Sequence, residues 1–325
     1  MKHISILVPE FAILGSLEGA RQLFMQVNEF MKSKQSPSLF QVELVGLSRQ
    51  VKVSGGLFTI NVNALISEAK QTDLIIIPAI EGDMQLALEK NKDFIPWIKD
   101  QYNKGAEVAS LCLGAFLLAS TGMLKGKKCA THWMAENAFR KMFPDVELVT
   151  EKIITDENGF YSSGGAFSYL NLILYLIEKY AGREIALLAA KVFAIEIDRE
   201  NQLPFTIFQG QKDHEDKAIK TAQEFIEKNY QDKITIEQLS SMLSIGRRNF
   251  ERRFKKATAN TATEYMQRVK IEMAKKSLEN PLKNVTEVMY DVGYIDTKAF
   301  RNTFKKITGI SPLEYKNKYK AIVAN

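Results

Sequence analysis

The sequence contains little cysteine, histidine or proline and has no long apolar run. Its two cysteines, Cys112 and Cys129, are too few for a disulfide framework, which indicates a reducing compartment. With 8 prolines in 325 residues and no low-complexity tract, the composition excludes a disordered or fibrous chain. No apolar run approaches the roughly 18 residues of a membrane span, and the N-terminal segment turns acidic too early for a signal peptide. We therefore expect a globular, cytoplasmic protein with no membrane partner and, from its length, about two domains.

Histidine and glycine patterns argue against a metal or cofactor site. The three histidines, His3, His132 and His214, are too widely spread along the chain for a metal-binding spacing. Glycine patterns that cradle phosphates or dinucleotides are absent from the sequence. We therefore predict no metal and no cofactor.

Positive charge is concentrated at one end of the chain. The net charge of +6 is an average over two unlike regions. Residues 217–325 contain 22 Lys and Arg against 12 Asp and Glu, a net charge of +10, whereas residues 1–216 have a net charge of −4. A basic C-terminal third predicts a polyanionic partner for that region alone. A merely solvated basic surface is the alternative that charge by itself leaves open.

The first 200 residues alternate short apolar runs with helical patterns. The predicted strands are residues 4–8, 42–47, 73–78 and 107–111, and the predicted helices are residues 19–34, 61–71, 93–104, 115–122, 166–180 and 184–197. The strand runs are continuously apolar, as expected when helices cover both faces of a sheet. This alternation predicts a doubly wound, flavodoxin-like α/β domain over residues 1–200 with a mostly parallel sheet.

A polar stretch separates this region from a second domain. Residues 201–216 contain Pro204, Gly210 and a cluster of polar side chains, which predicts a linker. Residues 217–325 are rich in helix formers, with apolar residues three and four positions apart, and are predicted to form an all-α domain.

The C-terminal region repeats itself at an offset of 50 residues. The matched pairs at this offset are Phe250/Phe300, Phe254/Phe304, Lys255/Lys305, Lys256/Lys306, Thr258/Thr308, Glu264/Glu314, Tyr265/Tyr315, Glu237/Glu287 and Ile245/Ile295. Chance rarely gives so many identities at one fixed offset. We therefore predict two copies of one supersecondary unit.

Each copy is predicted to be a short helix, a tight turn and a second helix. The first copy places these helices at residues 236–243 and 247–256, and the second at residues 285–291 and 297–307. In the second copy, Gly293 has the position of a left-handed helix end, and Asp296 has the position of an N-cap. This is the layout of a helix-turn-helix, whose second helix enters the major groove of DNA.

The second helix of each copy is predicted to have an apolar and a basic face. Phe250 and Phe254 lie one helical turn apart and are expected to pack inward. Arginines on the other face can make bidentate contacts to guanine, and the lysines that follow suit phosphates. A basic surface helix without a DNA partner is the simpler alternative, but duplication, turn chemistry and charge together favour DNA.

The second copy carries a family resemblance. The run G-Y-I-D-T-K-A-F-R-N-T-F-K-K-I-T-G-I-S-P-L-E-Y resembles the signature of the AraC/XylS family of transcription regulators. The resemblance covers residues 217–319 and implies two helix-turn-helix units joined by one helix, here residues 263–278, about 24 Å long. Carried over by position, it implies base contacts by Arg248, Glu251, Arg252, Thr297, Lys298, Arg301 and Asn302. Arg253, Lys255 and Lys256 suit phosphates, and the full set of predicted DNA-binding residues also includes Arg247, Lys305 and Lys306.

A cysteine at a predicted strand-to-helix turn is the sharpest candidate for chemistry. In E-V-A-S-L-C-L-G-A-F-L-L-A an apolar strand ends at Cys112, and a helix begins two residues later. Helix N–H groups beneath such a side chain are expected to lower the pKa of the thiol. His132 follows 20 residues on and can meet Cys112 in the fold. The simpler interpretation is a small buried hydrophobic residue.

This elbow resembles that of the PfpI/ThiJ superfamily. The resemblance rests on the cysteine turn, on T-H-W and on Ser-Ser-Gly-Gly at residues 162–165, and it implies a class I glutamine amidotransferase-like fold over residues 1–200. Enzymes of that superfamily pair the cysteine with a His and an acidic residue. This sequence departs from the pattern, with Ser16 at the usual acidic position, Ala20 at a usual proline and Asn171 at a usual Asp, although Glu18 is near.

Together the two regions resemble the amidotransferase-like branch of the AraC family. We expect a regulator that is not an enzyme, binds a double-stranded promoter element, forms a homodimer and senses an unknown small-molecule effector. The expected ligand pocket is lined by Cys112, Leu113, His132, Gly164 and Gly165. The alternatives are a cysteine-dependent hydrolase or glyoxalase-like enzyme with Cys112 and His132 as candidates, fused to a DNA-binding tether, and a redox sensor through Cys112.

Overall fold

A computed structural model describes residues 1–197 and 201–320 of the chain. These residues form two compact units, Met1–Gln202 and Leu203–Asn325, which we call the first and second unit. No helix in the described ranges is both long and apolar enough to cross a membrane.

The first unit contains both strands and helices. The strands are β1 (Lys2–Val8), β2 (Phe40–Gly46), β3 (Gln50–Val53), β4 (Phe58–Asn61), β5 (Ala64–Leu65), β6 (Leu74–Ile77), β7 (Glu107–Leu111), β8 (Lys128–Cys129), β9 (Glu147–Leu148), β10 (Ile154–Glu157) and β11 (Phe160–Ser163). The helices are α1 (Leu14–Ser33), α2 (Met84–Lys90), α3 (Phe94–Asn103), α4 (Ala115–Ser120), α5 (Glu136–Met142), α6 (Tyr169–Ala181) and α7 (Arg183–Val192).

The main sheet is mostly parallel and is covered on both faces. Its strand order is β10-β11-β7-β6-β1-β2-β5, and the pairing of β10 with β11 is antiparallel. On β6, Leu74 and Ile76 pack into one core with α1, α6 and α7, whereas Ile75 and Ile77 pack into the other with α3 and α4. The continuous apolar runs are therefore explained by burial of both faces, and the predicted doubly wound α/β fold is confirmed.

Most predicted elements of the first unit are present. The four predicted strands correspond to β1, β2, β6 and β7, with ends that agree within two residues. Five predicted helices correspond to α1, α3, α4, α6 and α7, although α1 begins earlier, at Leu14, and α7 ends earlier, at Val192.

The helix predicted at residues 61–71 is wrong. Asn63 exchanges two hydrogen bonds with the backbone of Leu44, one through its N–H at 2.8 Å and one through its side-chain oxygen at 2.7 Å. These bonds hold β5 as an edge strand parallel to β2. Ile66 and Ala69 pack against the core from the turn that follows, and their three-residue spacing produced the helical pattern.

The second unit is all helical. Its helices are α8 (Lys217–Lys228), α9 (Ile236–Met242), α10 (Arg247–Thr258), α11 (Ala262–Leu278), α12 (Val285–Asp291), α13 (Thr297–Thr308) and α14 (Pro312–Tyr319). Helices α9 and α10 form the first predicted helix-turn-helix, and α12 and α13 form the second. The long connecting helix is α11, which begins one residue before the predicted start and ends at the predicted residue. The predicted duplication is therefore confirmed as structure.

Each helix-turn-helix has its own apolar core. In the first, Phe250 and Phe254 of α10 are fully buried with Tyr265 of α11. In the second, Phe300 and Phe304 of α13 are fully buried against α11, α12 and α14. The paired phenylalanines therefore pack inward, as their spacing predicted, and α11 contributes side chains to both cores.

Residues 203–216, called the strap here, lie along the second unit. The predicted linker 201–216 is thus divided, with its first two residues in the first unit. Phe208 packs edge-on against Tyr265, with ring centroids 5.1 Å apart. The strap therefore adds an aromatic side chain to the first helix-turn-helix core.

A buried ion pair also fixes the strap. Lys275 and Glu272 of α11 are 2.8 Å apart, and their side chains are 5% and 12% exposed. Lys275 also donates to the carbonyl of Thr206, and the N–H of Phe208 donates to Glu272 at 3.0 Å. Both charges are thereby satisfied by partners that the strap supplies.

Candidate effector site and DNA-binding surface

Cys112 stands at the carboxyl end of β7 in a left-handed backbone conformation. Its φ is 51°, which is uncommon for a residue with a side chain. A 3-10 turn of Cys112–Gly114 then leads into α4. Gly114 is required here, because a Cβ atom would lie 2.4 Å from the carbonyl oxygen of Pro78. The turn therefore packs directly on the end of β6, and the predicted strand-to-helix elbow is present.

The expected lowering of the Cys112 pKa is wrong. The residue is only 4% exposed, and burial raises the pKa of its thiol to about 11, although the N–H of Leu113 opposes this shift. Helix α4 has only six residues, so the positive end of its dipole is weak. Cys112 is therefore a neutral thiol near pH 7.

This protonation state is testable by alkylation. We expect Cys112 of the native protein to react slowly with iodoacetamide at pH 7.5, because the thiolate is the nucleophile, and to react faster as the pH approaches 11. The measurement is quantitative mass spectrometry of the Cys112 peptide, with urea-unfolded protein as the reactive control. Rapid labelling of native Cys112 at neutral pH would contradict the neutral thiol.

His132 follows Cys112 by 20 residues, and its ring is hydrogen-bonded within its own loop. Its Nδ1 accepts from the N–H of Met134 at 3.2 Å, and burial lowers the pKa of the imidazole. The neighbouring Thr131 donates its hydroxyl to the carbonyl of Cys112 at 3.0 Å. Among the described residues, no hydrogen bond joins His132 to the Cys112 thiol. The structure thus ties the two loops together without pairing base and thiol.

The acidic member of a catalytic set is also missing from the described residues. Ser16 donates to the carbonyl of Ile13 and accepts from the N–H of Ala79, so it fastens a loop. The Glu18 carboxylate forms two bonds to Arg21, at 2.7 and 2.8 Å, on its own helix, and these hydrogen bonds lower its pKa.

Asn171, at the third position that departs from the superfamily pattern, has a structural bond as well. Its side-chain amide donates to the carbonyl of Glu196 at 2.6 Å. Among the described residues, neither Asn171 nor the Glu18 carboxylate is hydrogen-bonded to Cys112 or His132. In the described part of the chain, no cysteine–histidine–acid relay is assembled.

Gly164 and Gly165, which the sequence analysis predicted to line the ligand pocket, form a tight turn. Gly165 has a φ of 75°, and a Cβ there would lie 2.8 Å from the hydroxyl of Ser168. A Cβ on Gly164 would lie 2.2 Å from the side-chain nitrogen of Gln202. The space beside this turn is therefore occupied by a residue that the sequence analysis did not predict.

Gln202 is a buried residue that binds three loops of the first unit. Its side-chain nitrogen donates to the carbonyl of Thr131 at 2.9 Å, and its side-chain oxygen accepts from the N–H of Trp133 at 3.3 Å. Its backbone N–H donates to the carbonyl of Glu151 at 2.9 Å. Since Gln202 is bonded to residues on both sides of His132 and lies against Gly164, it supports two of the residues predicted to line the pocket.

The predicted DNA-binding residues of α10 fall into free and engaged groups. Arg248, Lys255 and Lys256 are exposed, and in the described ranges they have no ion-pair partner. Arg247 pairs with Glu237 and lies 3.7 Å from Glu251. These contacts reduce the charge that Arg247 and Glu251 present to a partner.

Arg252 and Arg253, adjacent in α10, have different surroundings. Arg252 is exposed and donates to the side-chain oxygen of Asn249 at 2.9 Å. Arg253 is only partly exposed and makes two bonds to Asp216, at 2.8 and 2.7 Å. This bidentate pair reduces the positive charge that Arg253 presents to a partner, and its role as a phosphate contact stays a prediction.

The Asp216–Arg253 pair gives a pH-dependent stability. The hydrogen bond from Arg253 holds the pKa of Asp216 below its ordinary value of 3.8. A lowered folded-state pKa stabilises the fold above the ordinary value, and this contribution is lost as the pH falls through the folded-state pKa. We expect Asp216→Asn to lower the melting temperature of the second unit at pH 7, and the difference from wild type to shrink below about pH 4.

Calorimetry of the full chain at both pH values tests this pair. Asparagine retains the N-cap bond that Asp216 accepts from Ile219, so the substitution removes charge without removing the cap. A difference in melting temperature that is equal at pH 7 and pH 3 would contradict an electrostatic origin.

The predicted DNA-binding side chains of the second recognition helix, α13, are more evenly exposed than those of α10. Thr297, Lys298, Arg301, Asn302, Lys305 and Lys306 of α13 are all exposed. Asp296 caps the helix by accepting from the N–H of Ala299 at 2.6 Å, and Gly293 in the turn has a φ of 75°. Both predictions for the turn are confirmed.

A metal site has no support in the described residues, which contain no group of three His, Cys, Asp or Glu side chains that could hold an ion.

Comparisons with known proteins agree with the two-part architecture. The DJ-1/PfpI family matches residues 27–179, and a helix-turn-helix domain family matches residues 239–318. The HTH-type transcriptional regulator GbdR of Pseudomonas aeruginosa is 26% identical over 268 residues, 81% of this chain and 71% of that protein. The HTH-type transcriptional regulator CdhR of the same organism is 20% identical over 311 residues, 94% of this chain and 89% of that protein.

A solved structure shares the fold of part of the chain. The crystal structure of an AraC family transcriptional regulator from Pseudomonas putida covers 59% of this chain and 100% of its own, with a TM-score of 0.51 and 16% identity. At that identity, the likeness concerns the fold alone.

The fold, the exposed basic helices and these relatives define a DNA-binding transcriptional regulator. The chain joins a domain that matches the DJ-1/PfpI family to a helix-turn-helix domain, in agreement with the resemblances seen in the sequence. Its relatives are named as regulators, which supports a role other than catalysis, although the DJ-1/PfpI fold is shared with some enzymes.

Proposed function

We propose that the first unit binds a small-molecule effector at the Cys112 elbow and thereby controls the affinity of the second unit for a promoter element. Open α/β sheets bind ligands beyond the carboxyl ends of their strands, which is where Cys112 follows β7. The proposed lining is Cys112, Leu113, His132, Gly164 and Gly165. The observation that supports a sensor rather than an enzyme is the buried, neutral thiol of Cys112, to which no base or acid of the described residues is hydrogen-bonded.

A turnover assay separates the sensor from the cysteine enzyme. Full-length protein is incubated with amides, peptides and methylglyoxal, and product formation is compared with that of Cys112→Ser. We expect no turnover by either protein. Turnover by the wild type that Cys112→Ser abolishes would overturn the sensor.

Gln202 gives the effector site a route to the DNA-binding unit. Its side chain is fixed by Thr131 and Trp133, on either side of His132. The next residues in the chain, Leu203–Phe205, lie beside α13 within the second unit. A ligand that moves the loop around His132 therefore also displaces Gln202, and with it the segment of chain that enters the second unit.

A substitution at this position tests the route. The experiment first identifies a ligand by thermal shift of the full chain against a metabolite library, and then measures operator affinity with and without that ligand. We expect Gln202→Ala to bind the ligand but to lose most of its effect on DNA affinity. Gln209→Ala, at an exposed strap position, is the matched control and retains the effect. If Gln202→Ala responds like wild type, the coupling runs elsewhere.

We also propose a homodimer, formed through the first unit, that acts in the cytoplasm on double-stranded DNA. Leu188 and Val192 lie one turn apart on α7 and are 37% and 56% exposed, which supports an apolar contact there. The proposed division of labour is sensing by residues 1–200, connection by residues 201–216 and DNA binding by residues 217–325. Sedimentation of wild type and of Val192→Asp tests the dimer, with dissociation expected for the variant.

A further inference from the structure

The two helix-turn-helix turns differ in length by one residue. Four residues, 243–246, separate α9 from α10, whereas five residues, 292–296, separate α12 from α13. The repeat offset is therefore 50 residues for the recognition helices but 49 for the helices that precede them.

The beginning of both turns is built alike, which locates the additional residue. The N–H of Ile245 donates to the carbonyl of Ser240 at 2.9 Å, and the N–H of Tyr294 donates to the carbonyl of Met289 at 3.0 Å. Tyr294 is thus the structural counterpart of Ile245, so the sequence match of Ile245 with Ile295 does not hold in the structure. The match of Glu237 with Glu287 fails for the same reason. Ile295 has no counterpart in the first helix-turn-helix.

The structure holds Ile295 outward between two fixed neighbours. On one side, the ring of Tyr294 packs on Phe300, with centroids 5.4 Å apart. On the other, the Asp296 carboxylate accepts from the N–H of Ala299 at 2.6 Å and fixes the helix start. Ile295 itself is 89% exposed and is absent from the core of the second helix-turn-helix. These neighbours thus present an apolar side chain that packing among the described residues does not explain.

We propose that Ile295 reads a thymine through contact with its C5-methyl group in the major groove. The N-terminal part of a recognition helix contacts base edges, and Ile295 lies two residues before Thr297, the first residue of α13. The thymine methyl is the apolar group of the major groove and is contacted by apolar side chains. This inference rests on DNA binding by α13 and adds to it a base preference outside the polar set Thr297, Lys298, Arg301 and Asn302.

The test removes each partner of the contact in turn: the thymine methyl group or the Ile295 side chain. A binding site is selected from a random duplex library with the full-length chain, and each thymine is then replaced singly by deoxyuridine. We expect one replacement to weaken wild-type binding by about fourfold, the effect of one buried methyl-sized group. Ile295→Ala is expected to bind the unmodified site at least about fourfold more weakly and to be insensitive to that replacement.

Leu282→Ala is the matched control, since Leu282 is also 89% exposed and lies in the turn before α12. It is expected to keep the wild-type response to deoxyuridine, and both variants are expected to keep the wild-type melting temperature. Equal deoxyuridine effects on wild type and Ile295→Ala would overturn the proposal. So would an Ile295→Ala protein with unchanged DNA affinity but lost transcriptional activity, which would indicate a protein partner. Failure of the wild type to select any sequence would instead overturn sequence-specific DNA binding itself, and this proposal with it.

Discussion

Phe304→Ala is expected to destabilise the second helix-turn-helix by about 3–5 kcal/mol, the cost of truncating a large buried aromatic side chain. Phe304 is fully buried, and its ring contacts Phe300 and Tyr315 at centroid distances of 5.8 and 5.6 Å. Tyr315 also bonds through its hydroxyl to Glu279, at 3.2 Å. Removal of the Phe304 ring therefore opens a cavity against α14 and loosens the recognition helix itself.

The separation of the two cores makes the location of this loss specific. Phe254→Ala is the matched control, because Phe254 has the same place in the first core. Hydrogen exchange of the full chain should show lost protection in α12, α13 and α14 for Phe304→Ala, and in α8, α9 and α10 for Phe254→Ala. Identical exchange patterns in the two variants would mean that the cores unfold as one.

Arg252→Ala is expected to weaken binding to the specific site by about 1–3 kcal/mol, the range for loss of a bidentate base contact. Arg252 is exposed on α10, and its guanidinium donates a hydrogen bond to Asn249, which is also exposed on this helix. Binding to random duplexes should fall much less, since those complexes depend on phosphate contacts.

Arg253→Ala serves as the neighbouring control. The Arg253 guanidinium is bonded twice to Asp216, so its removal should lower stability more than it lowers discrimination between DNA sequences. Fluorescence anisotropy with specific and random duplexes over a series of salt concentrations measures both effects. If Arg252→Ala loses affinity equally for the two duplexes, Arg252 is a phosphate contact only.

The sequence predicts the parts of this molecule that repeat or are buried on all sides. Strand β6 is predictable because its run of four apolar residues fills cores on both faces of the sheet. Strand β5 is not, because two residues at a sheet edge give no periodic signal and are held by the side chain of Asn63. The same limit explains why the helix predicted over residues 61–71 is absent.

The candidate sites show a similar limit. The elbow at Cys112 follows from a strand running into a helix, but the thiol pKa depends on burial, which local sequence does not reveal. Arg253 looks like its neighbours until the fold brings Asp216 to it from 37 positions away. Gln202 had no signal at all, because its partners Thr131 and Trp133 are some seventy residues distant in the chain.

The strap also determines how many unanchored residues connect the first unit to the second. As a flexible coil, 14 residues would give a tether of about 20 Å that tolerates many arrangements. Gln202 is instead fixed in the first unit and Thr206 in the second, which leaves three residues between the two anchors. In the proposed homodimer, so short a connection makes DNA binding depend on the distance between the two half-sites as well as on their sequence. Operators lengthened by about five base pairs, half a turn of the double helix, should therefore bind poorly even with both half-sites intact.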